Sequence, residues 1–188
     1  MYLGLDLGTS SLKAVVVDEG HRTLATAVAE LTVQTPGPNA SEQDPASWVS
    51  ALHRVMGTLA TEINTRGIRA IGLSGQMHGS VHLDKQGQVL RPCMLWNDGR
   101  AGAQCDALMS LGDAWLERSG NLAMPGFTAP KVMWVREHDP AVFNQTAHIL
   151  LPKDYLRFYL TGELATDPSD ASGTLWLNPR ARAWEHGL

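Results

Sequence analysis

Leu3, Leu5 and Leu7 alternate with Tyr2, Gly4 and Asp6 at the start of the chain. A period of two places the leucines on one face of a strand and Asp6 on the other, near its end. The turn Gly8-Thr9-Ser10-Ser11 follows, and Leu12 to Val17 begin a second strand. Residues 2–33 read as three short strands in a meander, with a second turn at Asp18-Glu19-Gly20-His21. Beyond Pro36-Gly37-Pro38 the period lengthens. Asp44 reads as an N-cap with Pro45 at the first helical position. Trp48, Leu52, Val55, Leu59 and Ile63 recur at helical spacing, and Gly67 stands where the helix should stop. Ala70 to Leu73 predicts a short buried strand. Val81 to Leu83 predicts another, returning through Asp84-Lys85-Gln86-Gly87 to Val89 and Leu90. From Arg100 onward the pattern is mostly helical, broken by glycines and prolines. His148 to Leu151 reads as a last apolar strand, and Asp154 to Leu160 as a helix ending at Thr161-Gly162.

This order predicts an α/β fold: an antiparallel three-strand meander feeding a mixed sheet flanked by helices, as in ribonuclease H-like domains. Ligands of such sheets collect beyond the carboxyl ends of the strands. Asp6 lies near the end of the first strand, and Ser74-Gly75-Gln76-Met77-His78-Gly79 follows the Ala70 to Leu73 strand. The two segments are therefore expected to face one cleft.

Composition narrows the function classes. The chain has 188 residues, 44% of them hydrophobic, enough for one domain with its own core. A net charge of −4 argues against non-specific nucleic-acid binding. The sequence holds no apolar run long enough to cross a membrane. The chain enters a strand at once, with no basic stretch or apolar leader, so no signal peptide is expected. Cys93 and Cys105 are the only cysteines. They suit reduced thiols and a cytoplasmic setting better than a disulfide framework. The histidines are scattered and no CxxC pair occurs, so no zinc site is expected.

Five segments carry candidate chemistry. Asp6 with the Gly8 to Ser11 turn suits a metal-bound phosphate: the carboxylate can hold Mg²⁺, directly or through water, beside turn amides and hydroxyls. A hairpin with a polar turn explains the same residues. Gln76, Met77 and His78 lie between two glycines, where backbone can approach a ligand closely, and their donors and acceptors suit a sugar or polyol. A glycine turn with a surface histidine is the alternative. Trp96 can stack on a sugar face while Asn97, Asp98 and Arg100 bond hydroxyls. Equally, Asp98 can cap a helix starting near Arg100, with Arg100 paired to a carboxylate. Pro125 to Lys131 reads as a loop leading into a proline-initiated helix with Trp134 in the core. Thr166 to Thr174 is a polar loop that either holds a ligand or caps a helix.

Taken together these segments resemble the FGGY family of carbohydrate kinases, and within it the bacterial xylulokinases. The resemblance runs over essentially the whole chain. DLGTSSLK at 6–13 resembles the family's first phosphate loop. GFTAPKVMWVREH at 126–138 resembles its first signature pattern, including Lys131 and Trp134. SEQDP at 41–45, GQMHG at 75–79, LWNDGR at 95–100, GNLAMPGFTAPK at 120–131, LLPKDYLR at 150–157 and SDASGT at 169–174 are similar to xylulokinase versions of their segments. Glycerol kinases carry arginine and glutamate in the place of Met77 and His78, so this pair favours a ketopentose.

The resemblance implies a ribonuclease H-like domain of the actin and hexokinase ATPase type. It also implies ATP- and Mg²⁺-dependent phosphorylation of D-xylulose to D-xylulose 5-phosphate. In that scheme residues 1–188 form the N-terminal, sugar-binding domain. Asp6 places Mg²⁺ and the γ-phosphate; Gly8, Thr9, Ser10 and Lys13 lie by the phosphates; Gln76, Met77, His78, Trp96, Asn97, Asp98 and Arg100 face the sugar. The family's catalytic aspartate and its C-terminal nucleotide-binding domain belong to later segments, so these residues alone are expected to lack kinase activity. An apolar face left bare by the missing domain is expected to favour self-association, up to a homodimer. Partners are thus a small sugar and ATP, with neither nucleic acid nor membrane. Another FGGY sugar specificity, a non-catalytic sugar-binding module and an actin-like nucleotide module are the competing readings.

Overall fold

A computed structural model describes residues 1–187. Its centre is a four-stranded sheet of strands β1 (Tyr2–Leu7), β2 (Ser11–Val17), β3 (Thr23–Glu30) and β5 (Ala70–Gly75), in the order β3-β2-β1-β5. The first three strands are the antiparallel meander expected, and β5 joins β1 in parallel, with Asp6 opposite Ser74. The sheet is mixed and flanked by helices, as the alternation pattern predicts.

Alternation decides the faces. Leu3, Leu5 and Leu7 of β1, Leu12, Ala14 and Val16 of β2, and Ala25, Ala27 and Ala29 of β3 are all buried. Helix α1 (Pro45–Glu62) lies on this face through Trp48, Leu52, Val55 and Leu59, and helix α6 (Pro152–Thr161) adds Leu156. Burying a side chain of this kind is worth about 1.5–3 kcal/mol, so this seam holds the domain together. Tyr2, Gly4 and Asp6, on the opposite face of β1, are exposed.

The remaining elements form a second layer, whose Val81, Leu83, Cys93 and Leu150 join the same core. Short strands β4 (Glu42–Gln43) and β7 (Cys93–Met94) pair, as do β6 (Val81–Leu83) and β8 (His148–Leu150). Helices α2 (Gly102–Met109), α3 (Asp113–Ser119), α4 (Thr128–His138), α5 (Pro140–Gln145) and α7 (Pro168–Ser172) complete it, with a small β9 (Leu177–Asn178) and β10 (Ala183–Trp184) hairpin. Trp115, Ala129 and Leu175 make a separate small core there.

Several expectations change. The Asp44 side chain caps α1 as expected, accepting from the Ala46 amide. The helix, however, ends at Glu62, five residues before Gly67: Ile63 is extended, and Asn64 caps a separate 3₁₀ turn at Thr65–Gly67. The strand expected to be buried at Ala70 to Leu73 is buried only in part: Leu73 packs half-buried against the core, while Ile71, pointing to the other face, is 47% accessible. The His148 strand is not the last, since β9 and β10 follow it. Helix α6 begins at Pro152, two residues before Asp154. Trp134 is half-buried rather than in the core; it lies between Arg100, 4.6 Å from its ring centre, and the His138 ring stacked at 4.5 Å. Both cysteines are free and buried. No helix among the described residues is long and apolar enough to cross a membrane.

Candidate functional site

Parallel pairing of β1 with β5 brings the chain's two polar turns together. Both strands end at the same level, Leu7 beside Gly75, so the Gly8 to Ser11 turn and the Gln76 to His78 segment emerge side by side. Between them lies an open cleft of about 640 Å³, walled by Asp6, Gly8, Thr9, Gln76, Met77, His78, Trp96 and the 124–127 loop.

Asp6 stands at one end. Its Oδ1 accepts from Ser74 Oγ at 2.8 Å, and Lys13 is its cross-strand neighbour. The Gly8 amide is spent on closing the turn to the Ser11 carbonyl at 2.9 Å. Thr9 ties the turn to the wall: its hydroxyl donates to Gln76 Oε1 and accepts from the Trp96 indole N–H, both at 3.0 Å. Gln43 stands behind. Its amide donates to the Thr9 carbonyl at 2.7 Å, and its Oε1 accepts from Gln76 Nε2 at 2.9 Å and Trp48 Nε1 at 3.0 Å. One relay therefore runs from the core tryptophan to the tryptophan on the cleft wall, and most of its polar atoms are buried.

Met77 is 45% exposed at the cleft mouth. His78 sits beneath it in a left-handed conformation, φ 65°, unusual for a residue with a side chain and held only where surroundings enforce it. Thr128 Oγ1 donates to its carbonyl at 3.0 Å, and its ring tilts against Phe127 at 4.4 Å. The far side of the imidazole abuts Gly173, where a Cβ would come within 2.3 Å of Nδ1. Burial pushes the His78 pKa down to about 4; the nearby Lys131 charge acts in the same direction. His78 is therefore a neutral imidazole at pH 7, with one donor and one acceptor nitrogen.

Of the two glycines flanking this segment, Gly75 lines the cleft, while Gly79 has a different job from the one expected. At Gly79 a Cβ would strike Pro152 at 2.6 Å and Cys93 Sγ at 2.9 Å, so its smallness serves packing rather than ligand approach.

The LWNDGR segment divides. Trp96 reaches the cleft; Asn97 is exposed and off its wall. Asp98 is 1% exposed, and its carboxylate accepts from the Ser41 amide at 2.8 Å and from Arg100. Arg100 and Arg91 both donate to Glu42. Asp98 and Arg100 thus belong to a buried ion network that holds the segment under Trp96, rather than to the cleft surface. Asp98 does not cap α2 with its side chain, since that helix starts at Gly102 with Ala101 before it. Ser10 and Lys13 are exposed and also lie off the cleft wall.

Two other polar features stand nearby. The 166–174 loop caps a helix, as one of its two readings had it: Asp167 accepts from the Asp170 amide at the start of α7. Lys153 meets Asp154, Asp167 and Asp170 at 2.7, 2.9 and 2.9 Å, which raises its pKa despite its burial and ties α7 to α6. Lys131 is fully buried on α4, and burial lowers its pKa to about 8. Glu42 and Gln43 lie in the SEQDP segment, but their roles come from contacts over tens of residues, to Arg91 and Arg100 and to Thr9 and Gln76, which no local pattern shows.

Comparison with known proteins agrees with this architecture. The FGGY family of carbohydrate kinases, N-terminal domain, matches residues 1–188. A xylulose kinase of Klebsiella pneumoniae is 50% identical over 184 residues, covering 98% of this chain and 38% of that protein. The crystal structure of a xylulose kinase from Rhodospirillum rubrum superposes with a TM-score of 0.93 at 32% identity, covering all of this chain and 39% of that one. A gluconate kinase structure from Lactobacillus acidophilus superposes at 0.92 with 26% identity over 99% of this chain and 38% of that one. The chain thus spans a little over a third of the length of the relatives it matches. It belongs to the FGGY family of carbohydrate kinases, in which it corresponds to the N-terminal domain.

Proposed function

We propose that this chain is the sugar-binding domain of a xylulokinase, which transfers the γ-phosphoryl group of ATP to the terminal hydroxyl of D-xylulose. The observation that carries this reading is the cleft at the ends of β1 and β5, with a carboxylate at one end and a polar, aromatic wall at the other. Gln76 and neutral His78 offer donors and acceptors to sugar hydroxyls, Met77 covers carbon, and the half-exposed Trp96 offers a stacking face. The 50% identity to a xylulose kinase supports D-xylulose as the sugar.

The residues fit a phosphate–metal end as well. Asp6 is exposed, with one oxygen engaged by Ser74. No group of three or more metal-ligating side chains gathers among the described residues. A single carboxylate of this kind suits Mg²⁺, which keeps most of its waters and takes its other ligands from phosphate. Asp6 would hold Mg²⁺ there, neutralising charge on the transferred group. Lys13 beside it would add positive charge, and the Thr9 and Ser10 turn would border the phosphates. In this reading the chain's own residues bind and orient the sugar. The base that takes the hydroxyl proton and the adenosine site come from the rest of a longer chain, with a cytoplasmic setting consistent with two free thiols.

The test is a coupled ADP-release assay on the chain extended through its full reading frame, with D-xylulose, other ketoses, gluconate and glycerol. Turnover fastest with D-xylulose supports the reading. Preference for another sugar reassigns the substrate. Sugar binding without turnover on any substrate favours a non-catalytic module.

A further inference from the structure

Lys131 is the largest cost the second layer carries without an obvious return. Its side chain is completely buried, and its ammonium forms no ion pair among the described residues. Instead Nζ donates to two consecutive backbone carbonyls, Met94 at 3.2 Å and Leu95 at 2.9 Å. A buried charge with such partners loses more hydration than it regains, and an apolar side chain of similar length would fill the same space more cheaply.

What those carbonyls precede is informative. The next residue is Trp96, whose indole is half-exposed on the cleft wall and therefore receives little direction from side-chain packing. Its backbone oxygen is pressed against Gly126, where a Cβ would overlap it at 2.0 Å. Gly126 and Lys131 flank the start of α4, so one loop-and-helix unit grips the chain on both sides of Trp96. The indole N–H then meets Thr9 Oγ1 at 3.0 Å, beyond which the relay to Gln76 begins.

We propose that Lys131 is a positioning residue for the sugar site: by strapping the carbonyls of residues 94 and 95 to α4, it sets where the Trp96 indole stands on the cleft wall. This rests on the sugar-binding reading of the cleft. It predicts an unusual separation of effects. Loss of the ammonium spares, or even raises, the stability of the fold, because a buried charge is removed. It also leaves the Met94 carbonyl to the Ser80 amide and the Leu95 carbonyl to the Asp98 amide, each at 3.1 Å, so the peptide that aims Trp96 loses its tie to α4, and misplacement of a binding group by about 1 Å costs on the order of 100-fold.

The experiment uses the full-length kinase carrying Lys131→Met, Lys131→Gln, Trp96→Phe and the Lys131→Met/Trp96→Phe pair. Urea midpoints, KM for D-xylulose, KM for ATP and the ¹H–¹⁵N resonance of the Trp96 indole (assigned by its loss in Trp96→Phe) are measured. Expected for Lys131→Met are an unchanged or higher midpoint, a sugar KM raised about tenfold or more, and an ATP KM within about twofold. The Trp96 resonance shifts. Lys131→Gln, which keeps one donor in reach, falls between. In the Trp96→Phe background Lys131→Met adds little, since both act through one group. An unshifted indole resonance, a sugar KM unchanged in a folded variant, or full additivity overturns the proposal. So does failure of both Lys131 variants to fold, which would make the residue structural. If the wild type phosphorylates no sugar, the functional reading fails, while the indole resonance still judges the role of Lys131.

Discussion

Adding one methyl group at Gly173 tests whether the position of His78 matters. Gly173 follows α7 and lies flat against the imidazole: a Cβ there would stand 2.3 Å from both Nδ1 and Cε1. Ordinary contact begins at 3.4 Å, so the ring has to retreat by about 1 Å or the 173–174 segment has to lift. Neither is free. Phe127 blocks the ring 4.4 Å away on another side, Thr128 holds the His78 carbonyl, and the Ala129 amide holds the Thr174 carbonyl at 3.1 Å. Overpacking of this kind costs about 1–3 kcal/mol of stability. The larger effect is expected on the sugar: a displacement of about 1 Å at a binding group lowers kcat/KM by about 100-fold, or about 2.7 kcal/mol. The assay is steady-state kinetics of full-length Gly173→Ala with D-xylulose varied at saturating ATP, alongside a urea midpoint. Gly102→Ala is the control, because a Cβ there meets open space. A Gly173→Ala enzyme that folds and keeps its kcat/KM for D-xylulose within about twofold of wild type would refute the assignment of His78 to the sugar wall.

Asp6→Asn keeps the Ser74 hydrogen bond but removes the charge; kcat should fall by about 100-fold or more while the KM for D-xylulose moves little, as steady-state kinetics would read. Gln43→Leu strips the acceptor from Trp48 and Gln76; two buried donors left unsatisfied should lower stability by about 2–5 kcal/mol in urea unfolding. His82 is fully buried, and burial with the Arg91 charge beside it holds its pKa at about 4, against 6.5 for the unfolded chain. The unfolded state therefore takes up the proton first. The stability His82 contributes is complete above about pH 6.5 and falls as the pH drops toward 4, by up to about 1.4 kcal/mol per pH unit. His78, with its pKa also at about 4, adds an equal slope, so urea midpoints between pH 7 and 5 should show both and His82→Gln should remove about half of it.

The parts of this fold legible in the sequence are those written locally. Three leucines at a spacing of two are enough to orient β1 and so to place Asp6 at a strand end. Asp44 and Pro45 mark the start of α1 because a cap is a contact over two residues. What covers each face of a strand is different. Ile71 looks as much a core residue as Leu73, yet only Leu73 packs against the core, and no local pattern records that nothing among the described residues buries the other face of β5 at Ile71. The same holds for LWNDGR. Its residue types suit a sugar, but Asp98 turns inward because the Ser41 amide, 57 residues earlier, is waiting for it. Arg100 follows it to Glu42. Trp134 leaves the core for a similar reason, drawn under the Arg100 guanidinium. Lys131 could be seen as a signature residue but not as a buried one, since its partners are carbonyls rather than any side chain a motif could show.

The most direct test of the account is a crystal structure of the full-length protein with D-xylulose. The account predicts the sugar in the cleft at the ends of β1 and β5, hydrogen-bonded to Gln76 or His78, with a face toward Trp96 and its reacting hydroxyl directed to the Asp6 end. A sugar bound elsewhere, such as the groove between Ile71 and Leu160, with the β1–β5 cleft untouched, would contradict it.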